Sequence, residues 1–150
     1  MTYRHRFRVS APLDRVLAFH RRAESLRAVT PPLAPMTFLE PLPPELGEGD
    51  EMVFRMWAGP IPVRWRARIE RMGSDGFDDV QLEGPFARWR HRHRFEAAGP
   101  GATWVIDEIE ASLATRPDRW LIGLGMWSSL PLLFGYRGWK TRRLLERERE

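Results

Sequence analysis

Polar and apolar residues alternate one by one along most of this chain, which is the period of a strand with one buried face. The run 86–95, FARWRHRHRF, is the sharpest case: Arg88, Arg90, Arg92 and Arg94 fall on one side, Trp89, His91, His93 and Phe95 on the other. Wound as a helix, the same residues spread arginine around the whole circumference and leave no stripe to bury. Residues 3–10 alternate in the same way, with Tyr3, His5, Phe7 and Val9 opposite Arg4, Arg6 and Arg8. Further strands are predicted at 36–40, 51–58, 63–72, 77–83 and 102–113, punctuated by turn residues such as Gly59-Pro60 and Gly84-Pro85. Helical spacing occurs at Leu13, Val16, Leu17 and His20 behind Pro12, and again over 23–29 before Thr30-Pro31-Pro32. Pro117 and Asp118 introduce a last helical, apolar segment that ends in the charged run 142–150.

An antiparallel sheet with one apolar face must bury that face. Only the C-terminal helical segment is long and apolar enough to do it. The expected architecture is therefore α+β: strand, two short helices, six strands, then a long helix gripped by the curved sheet. Residues 1–150 are read as a single domain. The proline-rich stretch 31–44 is expected to wrap an edge or an opening rather than enter the sheet.

Composition narrows the functions. With 43% hydrophobic and 29% charged residues, the chain has an ordinary globular balance. The absence of cysteine excludes disulfides, thiol catalysis and thiolate metal sites. A chain entering an arginine-rich strand at once, with no apolar leader core, is expected in the cytoplasm. The net charge of +4 raises the question of nucleic acid. However, Glu108 and Glu110 have the opposite parity to Asp107 and so share the outer face with the arginines. Cross-strand ion-pair ladders account for that face, and nucleic acid is not an expected partner. The charge-free stretch 120–136 sits at the short end of the roughly 17–25 residues needed to cross a bilayer. It also holds Ser128, Ser129 and Pro131, and is read as core rather than a membrane span. It forms either one helix or a lid over 120–127 followed by a helix near Pro131, capped by Ser128 or Ser129. Arg137, Lys140, Arg142 and Arg143 are expected on the solvent side of that helix.

A three-residue connection at Gly84-Pro85-Phe86 places Phe77 opposite His93, Asp79 opposite His91 and Gln81 opposite Trp89. The inner face then collects Asp79, Gln81, His91 and His93, with Asp107 arriving from the next strand. Such a network can satisfy its own buried polar groups. Alternatively, it can turn one imidazole toward a cavity, as a hydrogen-bond anchor or a general acid/base. His91, His93, Asp79 and Asp107 are thus the candidates for catalysis. No metal and no cofactor are expected, since a competent metal site needs three or four converging ligands. No Gly-x-Ser-x-Gly elbow is present for a serine nucleophile.

The run Phe77-x-Asp79-x-Gln81-x-x-Gly84-Pro85-Phe86-x-x-Trp89-x-His91-x-His93-x-Phe95, followed by Thr103 and Asp107, resembles the START-like (SRPBCC, helix-grip, polyketide cyclase-like) superfamily. Phe19-His20, Thr30-Pro31-Pro32 and the later Leu130, Phe134, Tyr136 and Arg137 add to the likeness. The resemblance implies a helix-grip fold holding an apolar, often aromatic or lipid-like molecule. Related sequences often carry an aromatic where this chain has Ala111, which implies a roomier cavity. Expected walls are Phe54, Met56, Trp65, Phe77, Trp89 and Phe95, with Gln81, His91 and His93 as polar ligand-binding groups. Binding or carriage of a hydrophobic small molecule is the leading expectation. A cyclase or dehydratase with a histidine acid/base is the alternative, and an RNA- or membrane-interaction protein the third. The sequence leaves the oligomeric state open.

Overall fold

A computed structural model describes residues 1–147; the last three residues of the charged run 142–150 lie outside the described part. In chain order the elements are β1 (Thr2–Val9), α1 (Leu13–Arg21), α2 (Ala23–Ala28), β2 (Met36–Phe38), β3 (Glu51–Ala58) and β4 (Ile61–Gly73). They continue with β5 (Gly76–Glu83), β6 (Phe86–Ala97), β7 (Thr103–Leu113), α3 (Pro117–Ser128) and α4 (Leu130–Arg147). The strands form one antiparallel seven-stranded sheet in the order β1-β7-β6-β5-β4-β3-β2. The predicted strand, two-helix, six-strand, helix order is therefore present, and α4 runs along the face that carries Phe7 and His91.

Alternation decides which face is inside. Phe7, Val9, Phe54, Trp65, Ala67, Ile69, Phe77, Phe95, Val105 and Ile109 are all buried in one cluster. Each of the larger of these side chains contributes roughly 1.5–3 kcal/mol of burial. Residues Asp79↔His91 and Phe77↔His93 are direct partners, the register expected, although Phe86 itself belongs to β6 and the direct pairing stops at Val80↔Arg90. His93↔Asp107 then continues it into β7.

The central arginines of the outer face, Arg90, Arg92 and Arg94, are paired with carboxylates, in keeping with the parity of Glu108 and Glu110. Arg92 donates to Glu110 at 2.7 Å, and Arg90 donates to Glu70 at 3.1 Å. At the centre of this face sits Asp78, which the sequence pattern did not single out. Its side chain is fully buried and accepts from Arg90 at 2.8 Å and from Arg94 at 2.7 Å.

The apolar segment 120–136 is two helices rather than one, broken at Ser129. The serines do not cap the second helix with their side chains. Ser128 Oγ donates back to Leu124 O at 2.8 Å and Ser129 Oγ to Met126 O at 2.7 Å, closing the carboxyl end of α3. Pro131 falls in the first turn of α4, where a missing N–H costs nothing. Two glycines of these helices are close contacts with the sheet. A Cβ on Gly138 would meet the Phe7 ring at 3.4 Å, and one on Gly123 would meet Leu113 at 3.1 Å. Among the described residues, no helix is long and apolar enough to cross a membrane.

Candidate functional site

The inner face of the sheet is not fully covered. A cavity of about 940 Å³ lies between it, α1, the segment after α2, and the two C-terminal helices. Phe54, Met56, Trp65, Phe77, Trp89, His91 and His93 line it, together with Asp79 and Asp107. The aromatic wall is interlocked: Trp65 stacks on Phe54 with centroids 6.1 Å apart and meets Trp89 edge-on at 5.2 Å.

Two of the expected ligand-binding residues lie elsewhere. Gln81 belongs to the hairpin: its Nε2 donates to Phe86 O at 2.8 Å, and its Oε1 accepts from Phe86 N–H at 3.3 Å. The direct β5–β6 pairing ends at Val80↔Arg90, so Gln81 does not pair with Trp89. Gly84 is the residue that makes this fold-back possible, because a Cβ there would sit 2.5 Å from Gln81 Oε1. Phe95 is core, only 2% exposed and packed against His20 with centroids 4.7 Å apart. Ala111 is buried opposite Trp89 and does not itself border the cavity.

At the floor of the cavity, two aspartates and two histidines from β5, β6 and β7 form a closed ring. His91 Nε2 lies 2.8 Å from Asp107 Oδ1, and His93 Nε2 lies 2.7 Å from Asp79 Oδ2. The other two ring nitrogens face the opposite carboxylates, His91 Nδ1 at 3.5 Å from Asp79 and His93 Nδ1 at 3.4 Å from Asp107. The imidazoles lie against each other, centroids 3.7 Å apart and planes tilted by 31°, with Phe77 stacked on His93 at 4.5 Å. Phe134 of α4 meets His91 edge-on at 5.5 Å.

Two adjacent imidazoles in one buried site hold one positive charge between them, because two would repel. Burial opposes a charge on His93, but hydrogen bonds to Asp107 and Asp79 outweigh it and push its pKa up to about 9. Burial, then the charge on His93, holds His91 below the usual histidine range. Burial pushes both aspartates up, yet the imidazoles outweigh it and hold both below the usual carboxylate range. Asp79, His91 and His93 have the donor types of a metal site, with ligand atoms within 4.8 Å of one another. As the site stands, each of those imidazoles has an aspartate against its Nε2, and a metal would have to displace the proton that these bonds favour on His93.

His20 and Arg137, which the sequence reading did not place in the site, also border the cavity, beside polar Ser25, Thr30, Tyr136 and Thr141. His20 lines it from α1. Its Nδ1 lies 2.8 Å from Val16 O, an atom that can only accept, so Nδ1 carries the proton and Nε2 keeps a lone pair. Burial lowers its pKa to about 4. Arg137 also lines the cavity, contrary to its expected solvent position with Lys140, Arg142 and Arg143. It falls within the stripe Leu130, Phe134, Gly138, Thr141 that faces the sheet, and that spacing was the available signal.

No family model matches the chain, and no curated protein matches its sequence. Solved structures do match. The ZhuI aromatase/cyclase of Streptomyces sp. R1128 superposes over 100% of this chain and 96% of its own, with TM-score 0.77 and 15% identity. A norcoclaurine synthase point mutant from Thalictrum flavum, in complex with a transition-state analogue, covers 100% and 96% at TM-score 0.73 and 13% identity. A protein from Chromobacterium violaceum covers 97% and 98% at TM-score 0.73 and 14% identity. The chain thus has the helix-grip fold that these structures share.

Proposed function

We propose that this helix-grip protein binds a hydrophobic small molecule in the cavity between its sheet and its C-terminal helices, and acts as a carrier or receptor rather than an enzyme. The observation that carries the proposal is the cavity itself. About 940 Å³ of space is walled by Phe54, Met56, Trp65, Phe77 and Trp89 and floored by a polar cluster. Space of that size, apolar with a few converging polar groups, suits an organic guest.

The cluster argues against the cyclase or dehydratase alternative, although two fold neighbours are a cyclase and a synthase. An acid/base histidine needs a nitrogen aimed at the substrate. All four ring nitrogens of His91 and His93 instead lie within 3.5 Å of a carboxylate oxygen. The central outer arginines Arg90, Arg92 and Arg94 are bound up in ion pairs with Asp78, Glu70 and Glu110, which weakens the case for RNA at that part of the face.

Native mass spectrometry of protein purified from its own host tests the proposal. The expected result is a mass above that of the bare chain, released by organic solvent as a hydrophobic compound. Fluorescence of the neutral probe N-phenylnaphthylamine should also rise on mixing with stripped protein. A chain that carries nothing and leaves the probe dark would reject the reading.

A further inference from the structure

We infer that the guest is an apolar acid, and that Arg137 is the residue that holds its carboxylate; this rests on the binding reading above. Arg137 borders the cavity from α4, with its guanidinium carbon 5.4 Å from the Phe134 ring. Its Nε is shut off from solvent and has no hydrogen-bond partner. Among the described residues, the guanidinium forms no ion pair and no hydrogen bond, whereas Arg90, Arg92 and Arg94 on the outer face each have a carboxylate. Buried charges persist where something compensates them.

The nearby carboxylates do not fill that role directly. Asp79 and Asp107 take the imidazoles of His91 and His93 at 2.7 and 2.8 Å, and act on Arg137 only through space. Burial outweighs their influence and lowers the Arg137 pKa, so the guanidinium gains from a partner in direct contact. A guanidinium fork matches a carboxylate in plane and spacing, and a neutral carbonyl would use its donors without balancing its charge. The two aspartates repel an incoming oxyanion, but the imidazolium of His93 sits between them and cancels part of that field. Phe54, Trp65 and Trp89 supply the wall for the carbon skeleton.

Displacement of bound N-phenylnaphthylamine by naphthoate and by methyl naphthoate tests the inference. The two competitors share a ring system and differ in charge. Wild-type protein is expected to prefer the acid by about tenfold or more. Arg137→Met is expected to abolish that preference, with thermal melting used to verify that the variant is folded. Equal competition by acid and ester in the wild type overturns the inference and leaves the cavity reading standing. An acid preference that survives in folded Arg137→Met overturns the assignment to Arg137. If the probe does not bind wild-type protein at all, both readings fall. The wild-type comparison needs no variant, so a misfolded Arg137→Met still leaves the inference testable.

Discussion

His93 holds a proton that the unfolded chain would release near neutrality. Its pKa is about 9 in the fold against an ordinary 6.5, so the folded state gains stability that is complete below 6.5 and lost as pH rises to 9. The sign is reversed for His20, whose folded value near 4 means that the unfolded chain protonates first as pH falls from 6.5. Urea midpoints should therefore peak near pH 6.5 and fall on both sides. The alkaline loss from His93 should be on the order of 3 kcal/mol. Nitrogen NMR of the imidazoles at pH 7.5 should find His93 protonated and His91 and His20 neutral; a neutral His93 would refute the charge assignment. On the opposite face, Asp78→Ala leaves Arg90 with Glu70 alone and Arg94 with backbone carbonyls only, among the described residues. Its expected cost is about 3 kcal/mol in chemical denaturation, the low end for a broken buried pair because both arginines can reach water.

At the scale of elements, glycines separate into those the packing needs and those it does not. Gly76 opens β5 at φ +142, with the His93 carbonyl oxygen where a Cβ would stand, 1.8 Å away. Gly76→Ala must push β5 off β6 and pull Asp79 away from His93, so thermal melting should show a loss of about 3 kcal/mol or more. Gly135, by contrast, meets nothing on α4, and Gly135→Ala should stabilise the helix by about 0.5–1 kcal/mol. The sheet was legible from the sequence because its signal is local: alternation at 86–95 fixes a face, and the turn at Gly84-Pro85 returns β6 alongside β5, where Asp79 pairs with His91. The site was legible only where it lies on those strands. Gln81 has the right parity but is drawn into the hairpin by the Phe86 backbone, a short-range competition that periodicity does not register. Arg137 looked like a solvent residue because its charge outweighed its place in the buried stripe of α4. The break at Ser129 was one of the two readings of 120–136, because Ser128, Ser129 and Pro131 interrupt the apolar run.

Taken as a whole, the molecule is a rigid sheet with a lightly held cover. Gly123 is the one residue of α3 that is buried among the described part, while Leu121 stays 65% exposed and borders the cavity. Few buried apolar contacts mean a low cost of local opening. Amide hydrogen exchange should thus be faster in α3 than in α4, and a bound guest should slow α3 selectively; equal protection of both helices in the free protein would contradict this. The aromatic wall adds an optical property. Trp65 and Trp89 stand edge to face at 5.2 Å, and Trp57 lines the same space. A guest that absorbs where indole emits will lie within contact distance of these donors, so energy transfer should dim the tryptophan emission as the cavity fills. Occupancy can then be followed through the unlabelled chain, and the extent of dimming ranks candidate guests by how deeply they reach toward the aromatic wall.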